Sequence, residues 1–70
     1  MRYRELVKRL QQLGCQQQRA AKGSHTMWYN PNTDKYAVIP NWGGKDLKPG
    51  TVRGILKDLG ISRKDFGPIK

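Results

Sequence analysis

The sequence predicts an α+β fold in the order helix, strand, strand, strand, helix, within a single domain over residues 1–70. Two segments place apolar residues on one helical face, and the chain between them alternates β-forming residues with turns. Short connections favour a three-stranded antiparallel sheet, which buries one face against helices. Because both helices carry an apolar stripe, we expect them to pack together on that face and to leave the other face to solvent or a partner.

Two amphipathic helices are predicted, and each is followed by a glycine suited to a C-terminal cap, Gly14 and Gly60. The first helix covers residues 2–13, with apolar positions at helical spacing: Leu6, Val7, Leu10 and Leu13. The second begins at Pro49, where the missing N–H of proline costs nothing. Its apolar stripe repeats the pattern of the first: Val52, Ile55, Leu56 and Leu59.

Three strands are predicted between the helices, at residues 15–20, 24–29 and 35–39. The second alternates clearly between two faces, and turn-forming residues 30–34 connect it to the third. Pro40 ends the third strand and a polar, glycine-containing loop follows. The sequence therefore predicts a simple antiparallel meander between the two helices.

The composition is strongly basic, with 14 Lys and Arg against 5 Asp and Glu and a formal net charge of +9. Such a charge on one small domain points to a polyanionic partner: nucleic acid, an acidic membrane face or an acidic protein. No run of apolar residues approaches the roughly 20 that a membrane-spanning helix needs, and no segment resembles a signal peptide. We therefore expect a cytoplasmic protein without a membrane partner. With one Cys and one His, metal-ligand spacing is absent from the sequence, and we expect neither a metal nor another cofactor.

The one histidine closes the segment Lys22-Gly23-Ser24-His25. Imidazole exchanges protons at cellular pH, and in RNA the 2′-hydroxyl lies beside the scissile phosphate, so one base and some positive charge suffice for cleavage. Arg19 and Lys22 are close enough in sequence to supply that charge, and the backbone around Gly23 is free to approach a phosphate. Taken alone, a single histidine on a strand is more often an ordinary surface side chain, so both interpretations stay open.

Further candidates for RNA binding are Lys45 and Lys48 in the loop before the second helix. Several phosphate contacts together would make binding steeply salt-dependent. Four aromatic residues have rings able to stack on bases: Trp28, Tyr29, Tyr36 and Trp42. Trp28 and Tyr36 suit a core at least as well.

Four segments together resemble the HicA family, and the resemblance covers nearly the whole chain. They are Arg4-Glu5-Leu6-Val7-Lys8, Lys22-Gly23-Ser24-His25, Val38-Ile39-Pro40, and Lys45-Asp46-Leu47-Lys48-Pro49-Gly50-Thr51-Val52-Arg53-Gly54-Ile55-Leu56-Lys57 with Leu59-Gly60-Ile61. The resemblance implies a fold similar to the double-stranded-RNA-binding domain and an mRNA-cleaving toxin of a toxin–antitoxin pair. It further implies that His25 is catalytic and that a HicB-like antitoxin covers the active region.

Members of the family often carry a second histidine where this chain has Thr26, and another near the position of Trp42. The leading hypothesis is therefore a metal-independent endoribonuclease with His25 as its single catalytic side chain, assisted at the leaving group by Lys22 or solvent. The expected RNA-binding residues are Arg19, Lys22, Gly23, Ser24, Lys45 and Lys48. The alternatives are a non-catalytic module that binds double-stranded RNA by shape and a module that binds only an acidic protein.

Overall fold

A computed structural model describes residues 1–69, with the backbone but not the side chains of residues 19–22. The elements are α1 (Tyr3–Gln12), β1 (Gln16–Lys22), β2 (His25–Asn30), β3 (Lys35–Pro40), α2 (Pro49–Leu59) and α3 (Arg63–Phe66). The strands form one antiparallel sheet in the order β1-β2-β3. The predicted α+β class and the order of the elements are confirmed, and the arrangement is that of the double-stranded-RNA-binding domain.

The first hairpin differs from its predicted bounds. β1 continues to Lys22 because its pairing with β2 extends to the contact between Lys22 and His25, so only Gly23 and Ser24 remain as the turn. The β1–β2 register shifts twice, between Gln17 and Ala20 and again between Ala20 and Lys22, as β-bulges do. Ser24 therefore belongs to the turn and not to the strand.

The core lies between the helices and one face of the sheet. Its fully buried members come from both predicted helical stripes, from alternate strand positions and, at Leu47, from the loop before α2: Leu6, Leu10, Trp28, Ile39, Leu47, Val52, Leu56 and Leu59. Trp28 is only 1% exposed, so it is a core residue and is excluded as a base-stacking residue. None of the helices described, which run between residues 3 and 66, is long and apolar enough to cross a membrane.

The turn after β2 is fixed to the end of α2. The Asn30 amide donates to the Leu59 carbonyl at 2.8 Å and the Thr33 hydroxyl donates to the same oxygen at 2.7 Å. Gly60 ends α2 with a φ of 71°, and a Cβ there would lie 2.9 Å from Cγ2 of Thr33. Glycine is required at this cap by both its conformation and its close neighbour. The far end of the sheet is thereby attached to the helical layer.

Cys15 precedes β1, which begins one residue later than predicted, and its side chain lies in the core, where burial raises the pKa of the thiol. Because the thiolate is the reactive form, we expect Cys15 to react with a disulfide reagent only when the domain unfolds. A domain stable by about 5 kcal/mol would slow the reaction by roughly 5 × 10³-fold relative to the denatured chain. The rates in buffer and in denaturant check this, with glutathione as an exposed thiol control. Equal protein rates in both media would contradict it.

Candidate functional site

The candidate site begins at the tight turn between β1 and β2. Gly23 has a φ of 59°, the positive value that two-residue hairpin turns require at their first central position. A Cβ at Gly23 would meet no atom within 4 Å, and both Gly23 and Ser24 are exposed. The backbone of the turn is therefore uncovered and open to close approach by a phosphate.

His25 is the first residue of β2 and is exposed. Side chains alternate along a strand, and the next residue, Thr26, is buried on the helical side. His25 therefore belongs to the opposite row, with Met27 and Tyr29, and pairs with Pro40 at the end of β3. The imidazole lies at one end of the open face of the sheet, where a long substrate can reach it.

Thr26 uses the full hydrogen-bonding capacity of its hydroxyl inside the core. The hydroxyl donates to the Ile39 carbonyl at 3.0 Å and accepts from the Trp28 indole N–H at 3.1 Å. Since its one proton is given to Ile39, the 3.0 Å contact with Tyr3 has the phenol as donor. A side chain at position 26 points away from the face of His25, so this position does not supply a second catalytic group there.

The loop after β3 lies beside the turn. The Asn41 N–H donates to the Ser24 carbonyl at 2.6 Å, and the Asn41 side chain accepts from the Gly43 N–H at 3.3 Å. Trp42 is 48% exposed, and its carbonyl accepts from the Lys45 N–H at 3.3 Å. The structure therefore places Trp42 and Lys45 on the segment that adjoins the Gly23–Ser24 turn.

The other predicted RNA-binding residues are less closely grouped. Lys48 is exposed at the N-terminal cap of α2, separated from Lys45 by the buried Leu47, whose N–H donates to the Met1 carbonyl at 2.7 Å. The side chains of Arg19 and Lys22 lie outside the described part of the chain. The structure brings together the turn, His25 and the start of the 41–48 loop, and it sets Lys48 at the next element.

Asn41 is a site residue that the sequence did not indicate, and Trp42, predicted as a ring able to stack on bases, lies beside it on the segment that adjoins the turn. The signal that finds them is the pairing of β2 with β3, which sets Pro40 opposite His25 and so brings the next residues beside the turn. Among the residues that the structure describes, no three His, Cys, Asp or Glu side chains form a group suited to a metal ion. The site therefore consists of one imidazole, exposed backbone, an indole ring and nearby positive charge.

Gly23 offers a test of how the turn holds His25. We expect Gly23→Ala to lower the free energy of unfolding by about 1–2 kcal/mol, because an L-residue is strained at positive φ. The misplaced turn should also slow any reaction at His25. Thermal unfolding checks the first effect, with Gly54→Ala as the matched control. Gly54 lies within α2 with open space around it, so alanine there should stabilise the domain by about 0.5–1 kcal/mol. Equal melting temperatures for the two variants would contradict the prediction.

One protein family matches this chain over most of its length. The family described as "HicA toxin of bacterial toxin-antitoxin" matches residues 3–61, a span that includes α1, the Gly23–Ser24 turn, His25 and α2. No curated protein and no solved structure matches the chain.

Proposed function

Because the chain belongs to the HicA family of toxins from bacterial toxin–antitoxin systems, we propose that it cleaves mRNA with His25 as its single catalytic side chain. Toxins of this family cleave mRNA, which makes this chain a nuclease in general terms. The observation that supports the finer proposal is the position of His25. It is exposed on the open sheet face, directly after a turn whose backbone is uncovered.

In the proposed reaction the imidazole of His25 takes the proton of the RNA 2′-hydroxyl. The 2′-oxygen then forms a bond to the adjacent phosphorus, and the bond from phosphorus to the 5′-oxygen of the next nucleotide breaks. Water protonates the leaving oxygen at this exposed site. The products are a 2′,3′-cyclic phosphate and a 5′-hydroxyl end, and the step needs no added nucleophile because the substrate carries its own.

Positive charge would hold the substrate and offset the charge of the crowded phosphorane. The chain has a net charge of +9, and Lys45 lies on the segment that adjoins the turn. The amide groups around Gly23 are the proposed contacts for the scissile phosphate, since no side chain covers them. Lys22 and Arg19 remain proposed contributors from β1, and Lys48 from the start of α2.

Membership of the family implies an antitoxin partner and an RNA substrate. We propose that the antitoxin is HicB-like and that it inhibits by covering the face on which His25 lies. An inhibitor bound there blocks access without changing the fold. The open sheet face supports this proposal because it leaves the site uncovered in the chain alone.

The reaction is tested by incubating the purified chain with end-labelled RNA in the presence of EDTA. The proposal expects fragments with 2′,3′-cyclic phosphate and 5′-hydroxyl ends, at a rate that EDTA does not change. Fragments with 5′-phosphate ends would contradict the intramolecular route and indicate attack by water. Intact RNA after long incubation, together with tight and salt-sensitive binding to duplexes, would instead favour the non-catalytic RNA-binding module.

A further inference from the structure

The face of the sheet opposite the helices carries a patch of apolar and aromatic side chains. β2 contributes Met27 and Tyr29, and β3 contributes Val38 and Tyr36, which pair with them in that order. Tyr36 is 54% exposed and Val38 is 47% exposed. Of the large hydrophobic residues described here, only Trp42 is exposed to a similar degree. We refer to Met27, Tyr29, Tyr36 and Val38 as the open-face patch.

The two tyrosines of the patch form a fixed aromatic pair. Their ring centroids are 4.6 Å apart with an interplanar angle of 37°. The Tyr29 hydroxyl donates to Oδ1 of Asp34 at 2.8 Å, which holds that ring in place. Asp34 lies in the turn, and the sequences of β2 and β3 contain no acidic residue. The four patch side chains carry no carboxylate, and the Asp34 carboxylate that contacts Tyr29 lies at the turn, at the end of β2 far from His25.

The open-face patch is continuous with the proposed cleavage site. His25, Met27 and Tyr29 occupy alternate positions of β2 and so share one row. At roughly 3.3 Å per residue, the distance along the strand from His25 to Tyr29 is about 13 Å. An RNA strand with its scissile phosphate at His25 can therefore extend directly over the two tyrosine rings.

We propose that the open-face patch is a stacking platform for the bases of single-stranded RNA next to the scissile phosphate. The proposal rests on the proposed function, because His25 fixes the position of the strand. Bases in a duplex are stacked on one another and paired, whereas unpaired bases are free to lie on aromatic side chains. The platform therefore predicts a single-stranded substrate. The resemblance of the fold to the double-stranded-RNA-binding domain would by itself suggest duplex binding.

RNA fits the patch better than a protein does on three grounds. The patch shares a row with the candidate catalytic residue, its own side chains carry no carboxylate while Asp34 contacts it at the turn far from His25, and it belongs to a chain with a net charge of +9. The exposed ring of Tyr36 offers a π-face that every base can stack on without sequence preference. A basic protein with a neutral aromatic surface beside its histidine combines phosphate attraction with base contact.

The test measures RNA affinity in the His25→Ala background, where the RNA stays intact. Fluorescence anisotropy compares a labelled single-stranded oligonucleotide with the same strand annealed to its complement. Tyr36→Ala should weaken single-strand binding by roughly 5- to 150-fold, the range for loss of one stacked base. Tyr36→Phe, which keeps the ring, should bind as the parent does. Tyr36→Leu keeps an apolar side chain on the strand but has no π-face. It should lose single-strand affinity by the same roughly 5- to 150-fold, and it replaces Tyr36→Ala in the test if the alanine variant folds poorly.

Equal affinities of Tyr36→Leu and Tyr36→Phe, or equal binding of duplex and single strand by the parent, would overturn the platform. The platform would also be overturned if Tyr36→Ala bound RNA as the parent does but no longer bound a co-expressed antitoxin. That result would make the patch a protein interface. The proposed function fails separately. If the chain with His25 intact leaves RNA uncut while Tyr36→Leu still loses single-strand affinity, the platform is supported and cleavage is contradicted.

Discussion

Replacing His25 with alanine is expected to lower the rate of RNA cleavage by roughly 10²- to 10⁴-fold, the contribution of one general acid–base group. The imidazole is exposed and lies outside the core, so the free energy of unfolding should change by no more than about 0.5 kcal/mol. Activity would then be lost from a folded protein. Inducing each variant in cells and following growth and transcript integrity measures the effect in the setting where a toxin acts.

The matched control for this variant is Gln11→Ala, which also truncates an exposed polar side chain but lies on α1. It should leave toxicity and RNA decay as they are in the parent. If His25→Ala and Gln11→Ala degrade transcripts equally fast, His25 is not the catalytic residue. If both slow decay equally, the loss is not specific to the imidazole, and the single-histidine mechanism is wrong.

Thr26→Val is the second large effect that we expect, and it acts on stability. Valine has nearly the shape of threonine but leaves the Trp28 indole N–H without its acceptor and the Ile39 carbonyl without its side-chain donor. The Tyr3 phenol also loses its partner. A buried polar group left unpaired costs about 1–3 kcal/mol, so we expect a total loss of about 2–4 kcal/mol. Urea denaturation followed by tryptophan fluorescence measures it.

Tyr3→Phe provides the control for that network. It removes one donor to Thr26 while the bonds to Ile39 and Trp28 remain, so the loss should stay near 1 kcal/mol. The double variant with Thr26→Val should cost less than the sum of the two, because both remove the same contact. A Thr26→Val protein as stable as the parent would show that the hydroxyl is not needed to pair these groups.

The layered fold could be predicted because its signals are local. Leu6 and Leu10 repeat at helical spacing, and the structure buries both completely. Gly60 ends α2 with the left-handed conformation that a glycine cap predicts. The end of β1 could not be predicted in the same way. It depends on how far β2 pairs with it, and the shifted register near Ala20 has no signature in the sequence.

The candidate site divides along similar lines. Its histidine could be selected from chemistry and family resemblance. The alternation of side chains along β2 also predicts which face of the sheet His25 occupies. Asn41 could not be found, because its contact with Ser24 depends on the pairing of β2 with β3. Trp28 and Tyr36 were equally open to core and surface roles. Only the sheet register distinguishes them, by burying the indole and exposing the phenol.

The irregular pairing of β1 also bears on how this chain meets copies of itself. β1 is an edge strand, and a flat, regular edge exposes a row of free N–H and C=O groups that a second chain can extend. The two register shifts between Gln17 and Lys22 bend that row out of line. On the opposite edge, β3 ends at Pro40, which has no N–H to offer. The shifted register of β1 and the proline at the end of β3 thus both disfavour extension of the sheet by a second chain.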